Sequence, residues 1–141
     1  MGDIIFFMSY IGFLFEDMLI EWLEANDFKV EETAILDNRY KIDLLISHPD
    51  YEGKLGIQCK SDSYRKVKKS IKDNHKAQHN RAIEEGICEN VIFLLRGYDF
   101  MVSTEYGFPL SQEGFLMKYI DKGFKNKQKK TQKKSTQFGD R

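Results

Sequence analysis

YKIDLLISHPDYEGKLGIQCK, residues 40–60, is the stretch on which the fold turns. Tyr40–Ser47 and Lys54–Lys60 alternate at the two-residue period of extended chain and flank His48-Pro49-Asp50-Tyr51-Glu52-Gly53, a run of turn formers. The expectation is a β-hairpin. Side chains alternate between the faces of a strand, so Lys41, Asp43, Leu45 and Ser47 share one side of the first strand, and Gly56, Gln58 and Lys60 one side of the second. If Ser47 pairs with Lys54 across the turn, antiparallel counting sets Asp43 opposite Gln58, whereas a slip of one residue separates them. An aspartate that interrupts an apolar strand, a glutamine facing it and a lysine on the same side then meet on one patch of sheet.

Upstream, Gly12–Asn26 has helical spacing, with Phe15, Leu19, Trp22 and Leu23 along one side and Asp17, Glu21 and Glu24 on another. Glu16 lies off that acidic stripe, one turn from Gly12 and Ile20, on a face otherwise fit for packing. A carboxylate there needs a partner, a proton or a metal, unless it sits at the stripe's edge and reaches water. Phe28–Leu36 reads as a strand followed by a turn at Asp37-Asn38. The apolar run Ile4–Met8 is too short to span a bilayer and has no basic stretch before it, so no membrane segment is expected. Translation starting at Met8, or residues 1–7 adding a short strand, both fit it.

Downstream, Tyr64–Glu85 reads as a long helix ending at Gly86, Asn90–Arg96 as a buried strand, Phe100–Ser103 as a short strand, and Ser111–Asp121 as a last helix with Ser111 as N-cap. From Lys122 onward there is little to bury. With 141 residues and 41% apolar side chains the chain supports one core, giving a domain over residues 1–121 and a basic, disordered tail over 122–141. Helices alternating with strands in this order suit an α/β fold with a central mixed sheet covered on both faces.

Net charge is zero, but residues 1–53 hold 12 acidic and 3 basic side chains, and residues 54–141 hold 10 acidic and 19 basic. The halves carry about −9 and +9, an arrangement suited to meeting a polyanion on one surface. Arg65, Lys66, Lys68, Lys69, Lys72, Lys76 and Arg81 follow Lys60 directly. They read either as a solvated face or, attached to the polar patch, as a grip on a nucleic-acid backbone; the second reading is preferred here. His75 and His79 at i, i+4 have zinc spacing, but nothing completes the set, and on a lysine-rich face they read as solvated or phosphate-contacting. Cys59 and Cys88 lack CxxC spacing, which fits a reducing, cytoplasmic setting.

GFLFED at Gly12–Asp17, the aspartate of KIDLLIS at Lys41–Ser47, and the Gln-x-Lys of IQCKS at Ile57–Ser61 together resemble the PD-(D/E)XK nuclease superfamily, including its Mrr-type restriction nucleases and archaeal-type Holliday-junction resolvases. The likeness covers roughly residues 9–96. It departs in having Ile42 where proline precedes the aspartate, and Gln58 where most members carry an acid, although Mrr-type members are similar in using glutamine. The resemblance implies a restriction-endonuclease-like three-layer α/β sandwich and a Mg²⁺- or Mn²⁺-dependent endonuclease acting on duplex or branched DNA, as a homodimer. It implies a catalytic set of Glu16, Asp43, Gln58 and Lys60. Asp43, Gln58 and Glu16 would hold the metal, and Lys60 would orient water or steady charge on the phosphate. Arg65, Lys68, Lys69, Lys72, Lys76 and Gln78 would then contact nucleic acid. Two other readings stand beside it: a nucleic-acid-binding protein that kept the fold while Gln58 cost it catalysis, and a protein-interaction subunit whose acidic half meets a basic partner.

Overall fold

In a computed structural model, the structure describes residues 2–97, 101–112 and 114–126, with side chains from Gly12 onward except Phe13. Its elements in chain order are α1 (Gly2–Ala25), β1 (Lys29–Glu31), α2 (Ala34–Tyr40), β2 (Leu44–Ser47), β3 (Leu55–Ser61), a 3-10 turn (Asp62–Lys66), α3 (Lys69–Glu84), β4 (Asn90–Arg96), β5 (Val102–Ser103) and α4 (Phe115–Lys125). The strands form one five-stranded sheet in sequence order. β1, β2 and β3 pair antiparallel, β3 and β4 parallel across α3, and β4 and β5 antiparallel. Among the described residues, no helix is long and apolar enough to cross a membrane.

Alternation along the strands divides the core. Leu44, Ile46, Leu55, Ile57, Ile92 and Leu94 pack with Leu19 and Leu23 of α1 and with Ile120 and Phe124 of α4. Ile42 and Leu45 meet Leu36 and Tyr40 of α2 and Ala82 and Ile83 of α3, while Phe93 and Leu95 meet Tyr64. Helices thus lie against both faces of a mixed sheet, the coarse α/β architecture expected from the order of elements. The expected hairpin is present with its counted register, Leu44 pairing with Ile57 and Ile46 with Leu55.

Several local expectations are overturned. Phe28–Leu36 is not one strand: pairing ends at Glu31, and the Thr33 hydroxyl accepts the Leu36 N–H to cap α2, which absorbs the expected turn at Asp37-Asn38. Leu36 and Tyr40, one helical turn apart, are the buried residues of that helix, so a 3.6 period competes there with the β-branched signal. Residues 2–7 extend α1 rather than adding a strand. The helix expected from Tyr64 begins at Lys69, after a 3-10 turn that buries Tyr64. Ser111 does not cap α4. Its hydroxyl accepts the Val102 N–H, and Gly114, at φ 86°, stands at the N-cap. Phe100, where the short strand was expected to begin, lies outside the described residues.

The last helix also runs past the expected end at Asp121 to Lys125, with Gly123 and Phe124 buried. Phe124 stacks on Tyr51 at 4.4 Å and lies 6.3 Å from Phe28, while the Tyr51 hydroxyl donates to Asp121 at 2.7 Å. These contacts clamp the hairpin loop and the α1–β1 corner under the helix. A Cβ on Gly123 would come within 3.1 Å of both Ile92 and Leu55, so this helix approaches the sheet at a distance only glycine fits without displacing them. The basic segment from residue 127 lies outside the described residues. Because Phe124 is 2% exposed and stacked, Phe124→Ala is expected to cost about 3–5 kcal/mol, measured by urea denaturation.

Candidate functional site

Asp43 stands at the joint between α2 and β2. Lys41, in the left-handed region at φ 57°, ends α2 by donating its N–H to the Asp37 carbonyl, and the Ile42 N–H returns to the Leu36 carbonyl. His79 of α3 is bonded through Nε2 to the Lys41 carbonyl at 3.1 Å, which fixes that nitrogen as the protonated one. Burial pushes its pKa down to about 4, so His79 is a neutral structural donor. His75 bonds Tyr64 through Nδ1 at 2.8 Å and is held low by burial and by Lys60. His79 is therefore not the solvated group expected from its lysine-rich neighbours, while His75 is half-buried against Tyr64.

One residue beyond that joint the hairpin ladder changes. The Asp43 N–H donates to the Ile57 carbonyl at 2.9 Å, and the Cys59 N–H donates to the Asp43 carboxylate at 2.7 Å. The side chain takes the place of a backbone acceptor, so the carboxylate lies over Cys59, next to Gln58 in sequence, and not simply across from Gln58. Glu16, projecting from α1, shares a pocket with Asp43 that is also lined by Glu32, Thr33, Ala34 and Asp37. At Gly12, one turn from Glu16, a Cβ would meet nothing within 4 Å among the described residues.

Charge accumulates in this pocket. The Glu16 carboxyl is pushed up to about 7, first by burial and then by Asp43, Glu32, Asp37 and Asp17. Asp43 is pushed up to about 6, chiefly by burial, against the pull of the Cys59 N–H and Lys60 and with the help of Asp37, which also hydrogen-bonds it. Carboxyls that hydrogen-bond each other need a proton on one of them. The Cys59 thiol is raised well above its ordinary value by burial and by the nearby Asp43 and Glu16 charges. It is no nucleophile at neutral pH.

Gln58 is 2% exposed, and among the described residues its Oε1 has no hydrogen-bond partner, an expensive condition for an amide oxygen. Lys60 is half-buried, with Nζ 6.0 Å from the centre of the Tyr64 ring. Of the expected set, then, Glu16 and Asp43 share a pocket, Lys60 lies within electrostatic reach of Asp43, and Gln58 is buried beside them without lining that pocket. Sequence reasoning missed Asp37 and Glu32; the Thr33 cap with Leu36 and Tyr40 one turn apart was the available signal. Among the described residues, no three His, Cys, Asp or Glu side chains converge closely enough to hold a metal by themselves. The two crowded carboxyls are oxygen donors of the kind a hard divalent cation takes, with water completing its shell, and the Gln58 amide oxygen is of the same kind but does not line their pocket.

On the basic side, Arg65, Lys69, Lys72 and Lys76 line a second recess with Tyr64 and Phe93, whereas Lys68 and Gln78 line neither recess. Lys69 is paired with Asp73 at 2.8 Å, and Lys72 donates to the Arg65 carbonyl at 2.7 Å.

The raised acids have a thermodynamic signature. Their folded pKa values of about 7 and 6 exceed the ordinary 4.5 and 3.8, so between roughly pH 4 and 7 the folded chain binds more protons than the unfolded one. Stability from these groups is therefore full at low pH and is lost as pH rises through that window. In chelator, the Tm is expected to fall from about pH 5 to about pH 8; Mn²⁺ raises it at the higher pH and not at the lower. Asp43→Asn raises the metal-free Tm at about pH 8 and removes the Mn²⁺ shift; an unchanged pH profile in the variant overturns the assignment. No family model, curated protein or solved structure matches the chain.

Proposed function

We propose that this chain is a Mg²⁺- or Mn²⁺-dependent endonuclease that hydrolyses phosphodiester bonds in DNA, on a restriction-endonuclease-like version of the α/β sandwich. The observation that carries the reading is the meeting of Glu16 and Asp43 in one pocket, with the Lys60 ammonium in electrostatic reach of Asp43 and basic side chains beyond it. Asp43, Glu16 and the Gln58 amide oxygen would hold the cation. When bound, it polarises the phosphoryl oxygen and makes water a better nucleophile near neutral pH.

The chain's own residues supply the rest. Glu16, raised to about 7 by burial and the neighbouring acids when no cation is present, would release its proton as it takes up the cation or a water bound to it. Lys60 offsets the negative charge that grows on the phosphate. Cys59 contributes its backbone N–H, which fixes the Asp43 carboxylate through Oδ2. Arg65, Lys69, Lys72 and Lys76 hold the backbone of the substrate without reading its sequence. A homodimer would place two such sites on the two strands of a duplex or junction.

The buried position of Gln58 favours a second reading. With an amide where an acid would strengthen cation binding, a protein of this fold binds DNA without cutting it.

Incubation with labelled duplex, branched and single-stranded DNA and RNA, with and without Mn²⁺, separates the two. Metal-dependent cutting is expected, lost by at least about a hundredfold in Asp43→Ala and Lys60→Ala while binding stays within about twofold. Gln58→Glu is expected to keep or raise cutting. Normal cutting by Asp43→Ala removes the assignment, and binding without cutting under every condition establishes the second reading.

A further inference from the structure

The recess on the basic side has a volume of about 410 Å³, inside the roughly 300–1,000 Å³ range of small-ligand sites. Phe93 of β4 and three further segments build it. Tyr64 and Arg65 come from the 3-10 turn, Lys72 and Lys76 from α3, and Glu105 and Tyr106 from the loop after β5. It adjoins the candidate catalytic lysine through Tyr64, whose ring centre is 6.0 Å from Lys60 Nζ and 5.8 Å from Lys72 Nζ.

Tyr106 is 86% exposed, an unusual position for an aromatic ring that an ordered turn holds in place. Thr104, itself buried, accepts at Oγ1 from the N–H groups of Tyr106 (3.2 Å) and Phe108 (3.1 Å), and its carbonyl accepts from Gly107 at 2.9 Å. Gly107 supplies the φ of 90° that the turn needs, and a Cβ there would lie 3.9 Å from the Arg65 side chain. The backbone of the turn is thus fixed by hydrogen bonds, and its Tyr106 side chain lines the recess together with Arg65. Four cationic side chains face two carboxylates, Asp73 and Glu105, so the lining is net positive. Asp73 is already paired with Lys69 at 2.8 Å, which leaves the half-buried Glu105 carboxylate as an acceptor on the inner wall.

A positive recess, an exposed aromatic face and one inward acceptor match a nucleotide whose base is not paired. Phosphate suits Arg65, Lys72 and Lys76; a base face suits Tyr106; the N–H groups of a base edge suit Glu105. Bases stacked within a duplex do not offer their faces, so the ring would have no use on intact double helix. We propose that this recess takes one unpaired nucleotide of a single-stranded nucleic acid, its base stacked on Tyr106 and its phosphate held by Arg65, Lys72 and Lys76. The inference rests on the nucleic-acid reading above and narrows it: the substrate carries a single-stranded segment beside the bond presented to Lys60.

Fluorescence anisotropy in chelator, with the full chain and labelled oligothymidylate, oligouridylate and blunt duplex of about 12 units each, tests the proposal without cleavage. Single strands are expected to bind about tenfold tighter than duplex; Tyr106→Ala removes that preference and Tyr106→Phe restores it. Stacking through Tyr106 by either the deoxy or the ribo strand supports the site. An unchanged ratio of single-strand to duplex affinity in Tyr106→Ala, or a Tyr106→Phe variant as weak as the alanine, overturns it. Cutting assays with Mn²⁺ on the same proteins keep the two ideas apart. Tyr106-dependent binding without cutting supports the nucleotide site and removes the nuclease, while cutting that ignores Tyr106 does the reverse.

Discussion

A single side-chain bond, from the Cys59 N–H to the Asp43 carboxylate, joins the strand that opens the hairpin to the strand that carries Gln58 and Lys60. It sits where the regular ladder stops, and it can form only because α2 ends in a left-handed Lys41 whose carbonyl is held by His79. Three elements therefore fix one carboxylate: α2 by its cap, α3 by a neutral histidine, and β3 by a backbone amide. An acid held this way keeps its position while burial and neighbouring acids raise its proton affinity, the combination that perturbed sites share. The rest of the acidic pocket follows from that placement, since Glu16 from α1 and Asp37 from α2 are brought to the same carboxylate.

The parts of this arrangement that were legible in the sequence are those set by period and count. The hairpin, its register over Leu44–Ile46 and the division of its side chains between two faces needed only alternation and loop length. Glu16 was legible because it broke the acidic stripe of its own helix. What escaped notice depended on contacts made far along the chain. α2 hid behind a β-branched stretch because its evidence was one cap and two buried residues, Leu36 and Tyr40, whose partners lie on α3. Asp37 was lost with it. The end of α4 was read as tail because Lys122 and Lys125 dominate its composition, whereas its fate is decided by Phe124 meeting Tyr51. His79 looked solvated among lysines, yet a helix resting on a sheet turns one side inward whatever its neighbours in sequence carry.

The two halves of the chain, acidic and basic, do not mix their charge evenly over the molecule. Acids from α1, α2 and the start of β2 gather in one pocket, and cations from the 3-10 turn and α3 gather in the other, with Lys60 in contact with a wall of the second and within the field of the first. A polyanion approaching the basic side is drawn in by that field and repelled by bare carboxylates beyond it. A cation among the acids changes the sign of the second effect, so occupancy of one pocket bears on the other through charge alone.

Among the described elements, the helix that closes the sheet is made last. Leu55 and Ile92 lie under Gly123, and Tyr51 and Phe28 lie against Phe124, so the part of that sheet face not covered by α1 stays wet until those residues arrive. On the ribosome, synthesis proceeds from the amino end, and the hairpin emerges long before its lid does. The newborn chain must therefore carry an open apolar strand pair while residues 62–124 are added, and the order of synthesis delays assembly of the face behind the acidic pocket until α4 has emerged.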